Sequence, residues 1–142
     1  LSAFSSLIGS EINLDMFQDL LKDLLKSSQK KVNIEEIQKK VSQHFNIKMS
    51  DMSSARRSRT VARPRQVAMY LSKKLTTRSL PEIGRRFANR DHTTVIHAVK
   101  TITKLSESDE EMKKNLIQIT KVFLRHADIY FAQDLNGQET TQ

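Results

Sequence analysis

The sequence has 142 residues, of which 37% are apolar, and its formal net charge is +8 at pH 7. This length supports one domain of ordinary size with a smaller appendage. The absence of cysteine excludes disulfide frameworks, zinc ribbons, iron–sulfur clusters and thiol nucleophiles. The only glycines are Gly9, Gly84 and Gly137, so neither a P-loop nor a dinucleotide fingerprint can form. No apolar run approaches the ~20 residues of a membrane span, and no signal peptide is apparent. We therefore expect a soluble, intracellular, mostly helical fragment of a longer protein.

Positive charge is concentrated in the middle of the chain. Residues 1–54 carry seven basic and seven acidic side chains, whereas residues 55–104 carry thirteen basic and two acidic ones. Nine of these thirteen are arginines, whose planar fork suits phosphate and guanine. Such clustering is typical of a nucleic-acid binder. A solvated basic face, an acidic protein partner or a membrane surface would also account for it.

Helical periodicity predicts two helices and a short turn before the basic region. Apolar residues recur at helical spacing over 14–26, with Asn13 as the N-cap. A second helix is predicted after Asn33, where Glu36 follows in a capping-box-like pattern. A short turn of helix is expected around 50–54.

A longer helix is predicted to follow the basic segment 56–65 and to end near Leu75. Pro64 is expected in its first turn, because a missing N–H is harmless there. The exposed side of this helix would carry several of the basic and amide side chains.

Two helix signals separated by a tight turn predict a helix-turn-helix. Ser79 and Glu82 form a capping-box pattern with Pro81 in the first turn, so a short helix begins there. The chain is expected to turn at 88–90, and a second amphipathic helix is predicted over 92–105. This combination describes a helix-turn-helix, and the surrounding positive charge favours a nucleic acid as its ligand.

The last helix is predicted to begin at Ser108, with Glu111 as its capping-box partner. Its apolar stripe continues over 116–131. Because an exposed stripe of this width is costly, we expect it to be buried against the helix at 14–26 or against another chain.

Three segments in and beside the helix-turn-helix are Arg56–Gln66 (RRSRTVARPRQ), Ser79–Gly84 (SLPEIG) and Arg90–Val95 (RDHTTV). Together they resemble the DNA-binding domain of the DnaA family of bacterial replication initiators, over about residues 32–118. The resemblance implies an all-α helical bundle with a helix-turn-helix of the Trp-repressor type. It also implies lid helices of an upstream ATPase domain with a linker (1–31) and the DNA-binding domain (32–120). Residues 121–142 exceed the usual end of the family, and we predict a helical extension with a tail there.

The resemblance further implies sequence-specific binding of duplex DNA at replication-origin boxes. Helix 92–105 would lie in the major groove, and Arg57 would reach into the adjacent minor groove. The implied base contacts are Arg57, Leu80, Pro81, Asp91, His92, Thr93 and Thr94. The implied DNA-backbone contacts are Arg56, Arg59, Arg65, Gln66, Lys73, His97 and Lys100.

Several of these residues also have plainer interpretations. Thr93 and Thr94 fit equally well as ordinary first-turn residues, and Arg57 taken alone suits a phosphate contact better than a base contact. Asp91 fits a plain N-cap best, with orientation of a neighbouring side chain as an additional role.

The alternative function is a helical module that docks replication regulators, with the apolar stretch 122–131 as its contact surface. RNA binding is less favoured, because eight aromatic side chains offer no stacking platform. The histidines lack metal-ligand spacing, so we expect no catalysis, metal or cofactor in this fragment. The resemblance places ATP and Mg²⁺ in the upstream domain. It also implies a cytoplasmic, nucleoid-associated location and leaves weak contact with acidic phospholipid open.

Overall fold

The computed structural model describes residues 13–27 and 32–140, with the backbone alone described at 27 and over 126–140. All regular structure in these two ranges is helical, which confirms the predicted all-α fold. The predictions for residues 1–12 and 28–31 lie outside the described residues. None of the described helices is both long and apolar enough to cross a membrane. The elements are α1 (Leu14–Ser27), α2 (Ile34–Phe45), a 3₁₀ helix (Met49–Ser53), α3 (Arg59–Leu75), α4 (Leu80–Arg85), α5 (His92–Ser108) and α6 (Glu110–Thr140).

Local capping signals fix several helix starts where the sequence predicts them. The Asn13 side chain accepts from the backbone N–H of Met16 at 3.2 Å. Asn33 accepts from that of Glu36 at 2.8 Å. These two bonds confirm the predicted N-caps of α1 and α2, because each satisfies an amide that the helix leaves unpaired.

Helix α3 is the centre of the bundle and contacts α1, α2, α4 and α5. Its interior positions are filled by apolar side chains, and Tyr70 is the largest of them. One continuous core joins all six α-helices and the 3₁₀ helix of the described chain. Its fully buried large side chains are Leu21, Ile37, Met52, Met69, Tyr70, Leu71, Ile83, Phe87, Ile102, Leu116, Ile119 and Phe123.

Helix α3 begins five residues before Pro64, so the expectation that Pro64 lies in the first turn is wrong. The carbonyl of Ser58 accepts from the N–H groups of Val61 (3.0 Å) and Ala62 (2.8 Å), which starts the helix at Arg59. The proline ring removes the bond that the carbonyl of Thr60 would accept. Thr60 is exposed, so water can satisfy that carbonyl and the helix tolerates the proline.

The junction between α5 and α6 also differs from the prediction. Helix α5 continues to Ser108, and Asp109 rather than Ser108 caps α6, because the Asp109 carboxylate accepts from the N–H groups of Glu111 (3.0 Å) and Met112 (3.4 Å). Helix α6 packs against α1. Phe123 and Leu124, at 2% and 5% exposed, confirm burial of the apolar stripe within this chain for the part whose side chains are described.

Candidate nucleic-acid interface

The turn between α4 and α5 is tight because the backbone approaches Gly84 closely. The N–H of Arg90 donates to the carbonyl of Gly84 at 2.9 Å. A β-carbon at Gly84 would collide with the carbonyl oxygen of Arg90. Ala88 and Asn89 adopt left-handed φ angles of 60° and 54°, which reverse the chain direction. Helix α5 therefore starts beside α4, in the arrangement of a helix-turn-helix.

The predicted capping box at the start of α4 is confirmed. The Ser79 hydroxyl accepts from the N–H of Glu82 (3.3 Å), and the Glu82 carboxylate accepts from the N–H of Ser79 (3.3 Å). The bonds from Ser79, followed by one from Arg78, lower the pKa of Glu82. This anchor places Leu80 and Pro81 in the first turn of α4. Leu80 is half-buried against the core and Pro81 is exposed.

The first residues of α5 form an exposed polar cluster. Residues 91–94 are all exposed. The Asp91 carboxylate accepts from the hydroxyl of Thr93 and from Nδ1 of His92, both at 2.9 Å. The bond from Thr93 is the largest cause that lowers the pKa of Asp91. Asp91 occupies the predicted N-cap position. Its carboxylate makes no cap bond and instead orients His92 and Thr93, the additional role that the sequence suggested.

The same side of α5 carries further polar groups along its length. His97 and Lys100 are exposed one and two turns after the start of the helix. The Nε2 of His97 lies 3.5 Å from the hydroxyl of Thr101. The opposite side of α5 contributes Val95, Ala98 and Ile102 to the core. The helix therefore presents one polar face outward over at least two turns.

Residues 55–58, here called the arm, connect the 3₁₀ helix to α3 without regular structure and are exposed throughout. Arg57 lies in its middle. Arg56 is exposed, and its guanidinium lies 3.7 Å from the largely buried carboxylate of Asp51. Arg59 is exposed in the first turn of α3. The arm and the first turn of α3 therefore offer three exposed guanidinium groups.

Two other predicted backbone contacts lie on α3. Lys73 is exposed in its last turn. Gln66 is half-buried and accepts from the guanidinium of Arg63 at 3.0 Å. Arg63 was not singled out from the sequence, although its spacing of three residues from Gln66 is the ordinary signal for such a pair.

Arg65 corrects the sequence-based prediction. Its side chain is 6% exposed, and its guanidinium donates to the carbonyl of Asp51 (2.7 and 3.2 Å), the carbonyl of Arg56 (3.1 Å) and the hydroxyl of Ser54 (3.1 Å). These bonds use four of the five N–H donors of an arginine. The predicted phosphate contact is wrong in this arrangement, because the group is turned inward to hold the protein's own backbone.

Arg90 is a second structural arginine, which sequence reasoning missed. Its guanidinium donates to the carbonyls of Phe87 and Ser54, both at 2.7 Å. The available signal was an arginine in the turn directly before Asp91. Such a position predicts a DNA contact as readily as a structural role, so the sequence alone does not distinguish them.

Residues 34–102 match the family described as the bacterial DnaA protein helix-turn-helix. The chain belongs to this family. It is 60% identical over 116 residues to the chromosomal replication initiator protein DnaA of Gluconobacter oxydans, covering 82% of this chain and 24% of that protein. The same-named protein of Cereibacter sphaeroides is 59% identical over 116 residues, covering 82% and 26%. That of Ehrlichia ruminantium is 60% identical over 114 residues, covering 80% and 25%.

The chain therefore spans about a quarter of the length of these curated relatives. Membership of the family, together with the observed α4–turn–α5 geometry, confirms the prediction of a DNA-binding helix-turn-helix domain. The individual DNA contacts stay predictions. Among them, Arg57, Pro81, His92, Thr93, Thr94, Lys73, His97 and Lys100 have exposed side chains.

Proposed function

We propose that this chain binds origin boxes in duplex DNA and so takes part in the initiation of bacterial chromosome replication. The observation that carries the proposal is the exposed cluster at the start of α5, in which one carboxylate orients His92 and Thr93 at the end of a DnaA-family recognition helix. Recognition helices of this class place their N-terminal residues against base edges in the major groove.

The orientation by Asp91 determines what the two side chains can offer to a base. The Thr93 hydroxyl donates its only proton to Asp91, so it meets a base as an acceptor, while its methyl can contact a thymine methyl. A carboxylate only accepts, so the Nδ1 of His92 carries a proton and the Nε2 of the neutral ring is an acceptor. Acceptors in the major groove pair with the amino groups of adenine or cytosine.

Exposed basic groups around this helix supply the second part of the proposal. Arg57 on the arm would enter the adjacent minor groove, and the phosphate contacts would come from Arg56, Arg59, Lys73 and Lys100. Contacts of this kind fix the position of the protein on the duplex but carry no sequence information. Box preference is therefore assigned to α5 and Arg57, and salt-dependent affinity to the surrounding cations.

The alternative of a docking module loses part of its basis, because Phe123 and Leu124 belong to the core of this chain. We propose regulatory proteins and weak contacts with acidic phospholipid only as additional partners of the same basic surface. No catalytic role is proposed for these residues. By resemblance to the DnaA family, ATP and Mg²⁺ would be held in a domain upstream of these residues. A DNA ligand would place the protein on the cytoplasmic nucleoid.

A mobility-shift assay with three probes tests the proposal. The probes are a nine-base-pair box in a longer duplex, the same duplex with the box scrambled, and a single-stranded RNA of equal length. The box should be bound more tightly than the scrambled duplex by roughly a thousandfold or more at physiological salt, as specific sites usually are. Equal binding of box and scrambled duplex would contradict box recognition, and preference for the RNA would favour a different class of ligand.

A further inference from the structure

The arm at residues 55–58 needs to be held in place if Arg57 is to read DNA. It has no regular secondary structure, and all of its side chains are exposed. A free segment must be ordered when it binds, and this ordering reduces affinity. In the structure, two guanidinium groups from other parts of the fold bind Ser54, directly before the arm, and Arg56, within it.

Arg65, on helix α3, binds the arm and the residues directly before it. It donates to Asp51 and Ser54, which precede the arm, and to the carbonyl of Arg56 within it. The Ser54 hydroxyl also accepts a hydrogen bond from the backbone N–H of Arg56 at 3.4 Å. The residue directly before Arg57 is thus fixed at its amide and at its carbonyl.

Arg90 connects the arm to the helix-turn-helix. Its guanidinium bridges the carbonyl of Phe87, in the turn, and the carbonyl of Ser54, next to the arm. Arg90 lies two residues before His92, which starts α5. One side chain therefore sets the distance between the arm and the N-terminus of the recognition helix.

The two guanidinium groups lie close enough to influence each other. Burial is the largest cause that lowers the pKa of Arg65, the charge of Arg90 lowers it further, and Asp51 opposes both. Placing two like charges together under one short segment is unfavourable by itself. The bonds from the two groups to the backbone carbonyls of Asp51, Ser54, Arg56 and Phe87 offset this cost.

We propose that Arg65 and Arg90 are positioning residues for minor-groove readout. They hold Ser54 and Arg56 so that Arg57 stands at a fixed distance from His92 and Thr93, and neither needs to touch DNA. The inference rests on the proposed function for its DNA readout. The immobilisation of the arm does not depend on DNA and can be tested in the free protein.

The first test uses the free protein. ¹⁵N relaxation of the arm amides is compared for the wild type, Arg65→Lys, Arg90→Lys and Ser54→Ala, because a lysine cannot reproduce the fork of an arginine. Each variant should lower the heteronuclear NOE of residues 55–58. Arg85→Lys, which changes an exposed arginine of α4, is the matched control and should leave those values unchanged. Unaltered arm relaxation in Arg90→Lys and Ser54→Ala would overturn the proposal, even if Arg65→Lys fails to fold.

The second test separates the two grooves. Base pairs whose preference disappears in Arg57→Ala define the minor-groove set. Replacing A·T by G·C there should weaken wild-type binding by about fivefold or more. Replacing it by I·C, which lacks the amino group of guanine, should restore binding. Arg65→Lys and Arg90→Lys should lose this discrimination while keeping discrimination at pairs whose preference depends on Thr93.

Combination with Arg57→Ala gives the decisive comparison. If Arg65 and Arg90 act through Arg57, then adding Arg65→Lys to Arg57→Ala should cause no further loss of minor-groove discrimination. Equal loss of discrimination in both grooves would indicate a general structural role and overturn the proposal. So would additive effects of the two substitutions. A wild type without box preference would contradict the proposed function, while the relaxation test would still decide the positioning role.

Discussion

The phenol of Tyr70 donates a hydrogen bond to the side-chain oxygen of Gln18 at 3.1 Å, and the two residues are only 1% and 0% exposed. This bond joins α3 to α1. At the edge of the same contact, the ammonium of Lys74 lies 3.5 Å from the Asp15 carboxylate and 5.8 Å from the centroid of the Tyr70 ring. Helix α1, which precedes the matched residues 34–102, is thus attached to the DNA-binding domain by specific polar contacts as well as by the core.

Tyr70→Phe should destabilise the fold by roughly 1–3 kcal/mol, because it leaves the buried oxygen of Gln18 without a donor. Within the described residues, the Nε2 of Gln18 already lacks a partner, so the amide would then be wholly unsatisfied. Urea unfolding measures the loss. The control is Tyr70→Phe combined with Gln18→Met, which removes both polar partners and should recover most of the stability. A double variant no more stable than the single one would contradict this account.

The same contact predicts a pH dependence. Burial, opposed by the bond to Gln18, raises the pKa of Tyr70 from 10.0 to about 12. The folded chain keeps the phenol proton longer than the unfolded chain, so this contribution to stability is complete below about pH 10 and is lost as the pH rises towards 12. Unfolding at about pH 9 and pH 11 should therefore show a steeper decline for the wild type than for Tyr70→Phe. Lysine titration affects both proteins and cancels in the comparison. Parallel declines would be inconsistent with a raised pKa.

Thr93→Ala should cost on the order of 1–3 kcal/mol of binding on the cognate box and much less on random duplex. The expected cause is the loss of an acceptor and a methyl group that Asp91 holds toward the base. Fluorescence anisotropy titrations on both duplexes measure the difference. Lys73→Ala is the comparison, because loss of one phosphate contact should weaken both complexes and reduce the salt slope by about 0.9. An equal loss on both duplexes in Thr93→Ala would argue against direct readout at this position.

Local signals in the sequence were sufficient for the helix-turn-helix. The Ser79–Glu82 capping box and the Asn33 cap depend on atoms within one helical turn, so their pattern is readable without tertiary structure. The junction at Asp109 shows the limit of such signals. Ser108 and Asp109 are both good caps, and the length of α5 decides between them.

The interior arginines could not be assigned in the same way. Arg65 belongs to a basic run whose other members are exposed or half-buried, and only the docking of the segment 51–56 against α3 turns its side chain inward. That packing joins residues fourteen positions apart, so neither helical periodicity nor local charge reports it. The resemblance to a DNA-binding family led to the prediction of a phosphate contact at Arg65, whereas its guanidinium binds the protein's own backbone.

Gly84→Ala should destabilise the protein despite the better helix propensity of alanine, which by itself favours the change by about 1 kcal/mol. The new methyl group would collide with the carbonyl of Arg90, a backbone atom that cannot rotate away. Overpacking of this kind usually costs about 1–3 kcal/mol. Thermal unfolding should show a lower Tm, and box binding should weaken because the collision displaces the start of α5. Ala88→Gly, which removes a side chain from a left-handed position of the same turn, should not lower the Tm comparably. An unchanged Tm in Gly84→Ala would mean that the turn adapts freely.

Deletion of residues 121–142 should lower stability without changing box preference. Phe123 and Leu124 are buried in the core, so the deletion removes apolar contacts that do not involve the exposed face of α5. Phe123→Ala isolates the main part of this loss and should cost about 3–5 kcal/mol in urea unfolding. Arg125→Ala, exposed on the same helix, is the matched control and should remain within about 0.5 kcal/mol of the wild type. Discrimination between box and scrambled duplex should persist in every variant that is folded by circular dichroism. If a folded truncation loses that discrimination, then α6 takes part in recognition and its assignment to the core alone is wrong.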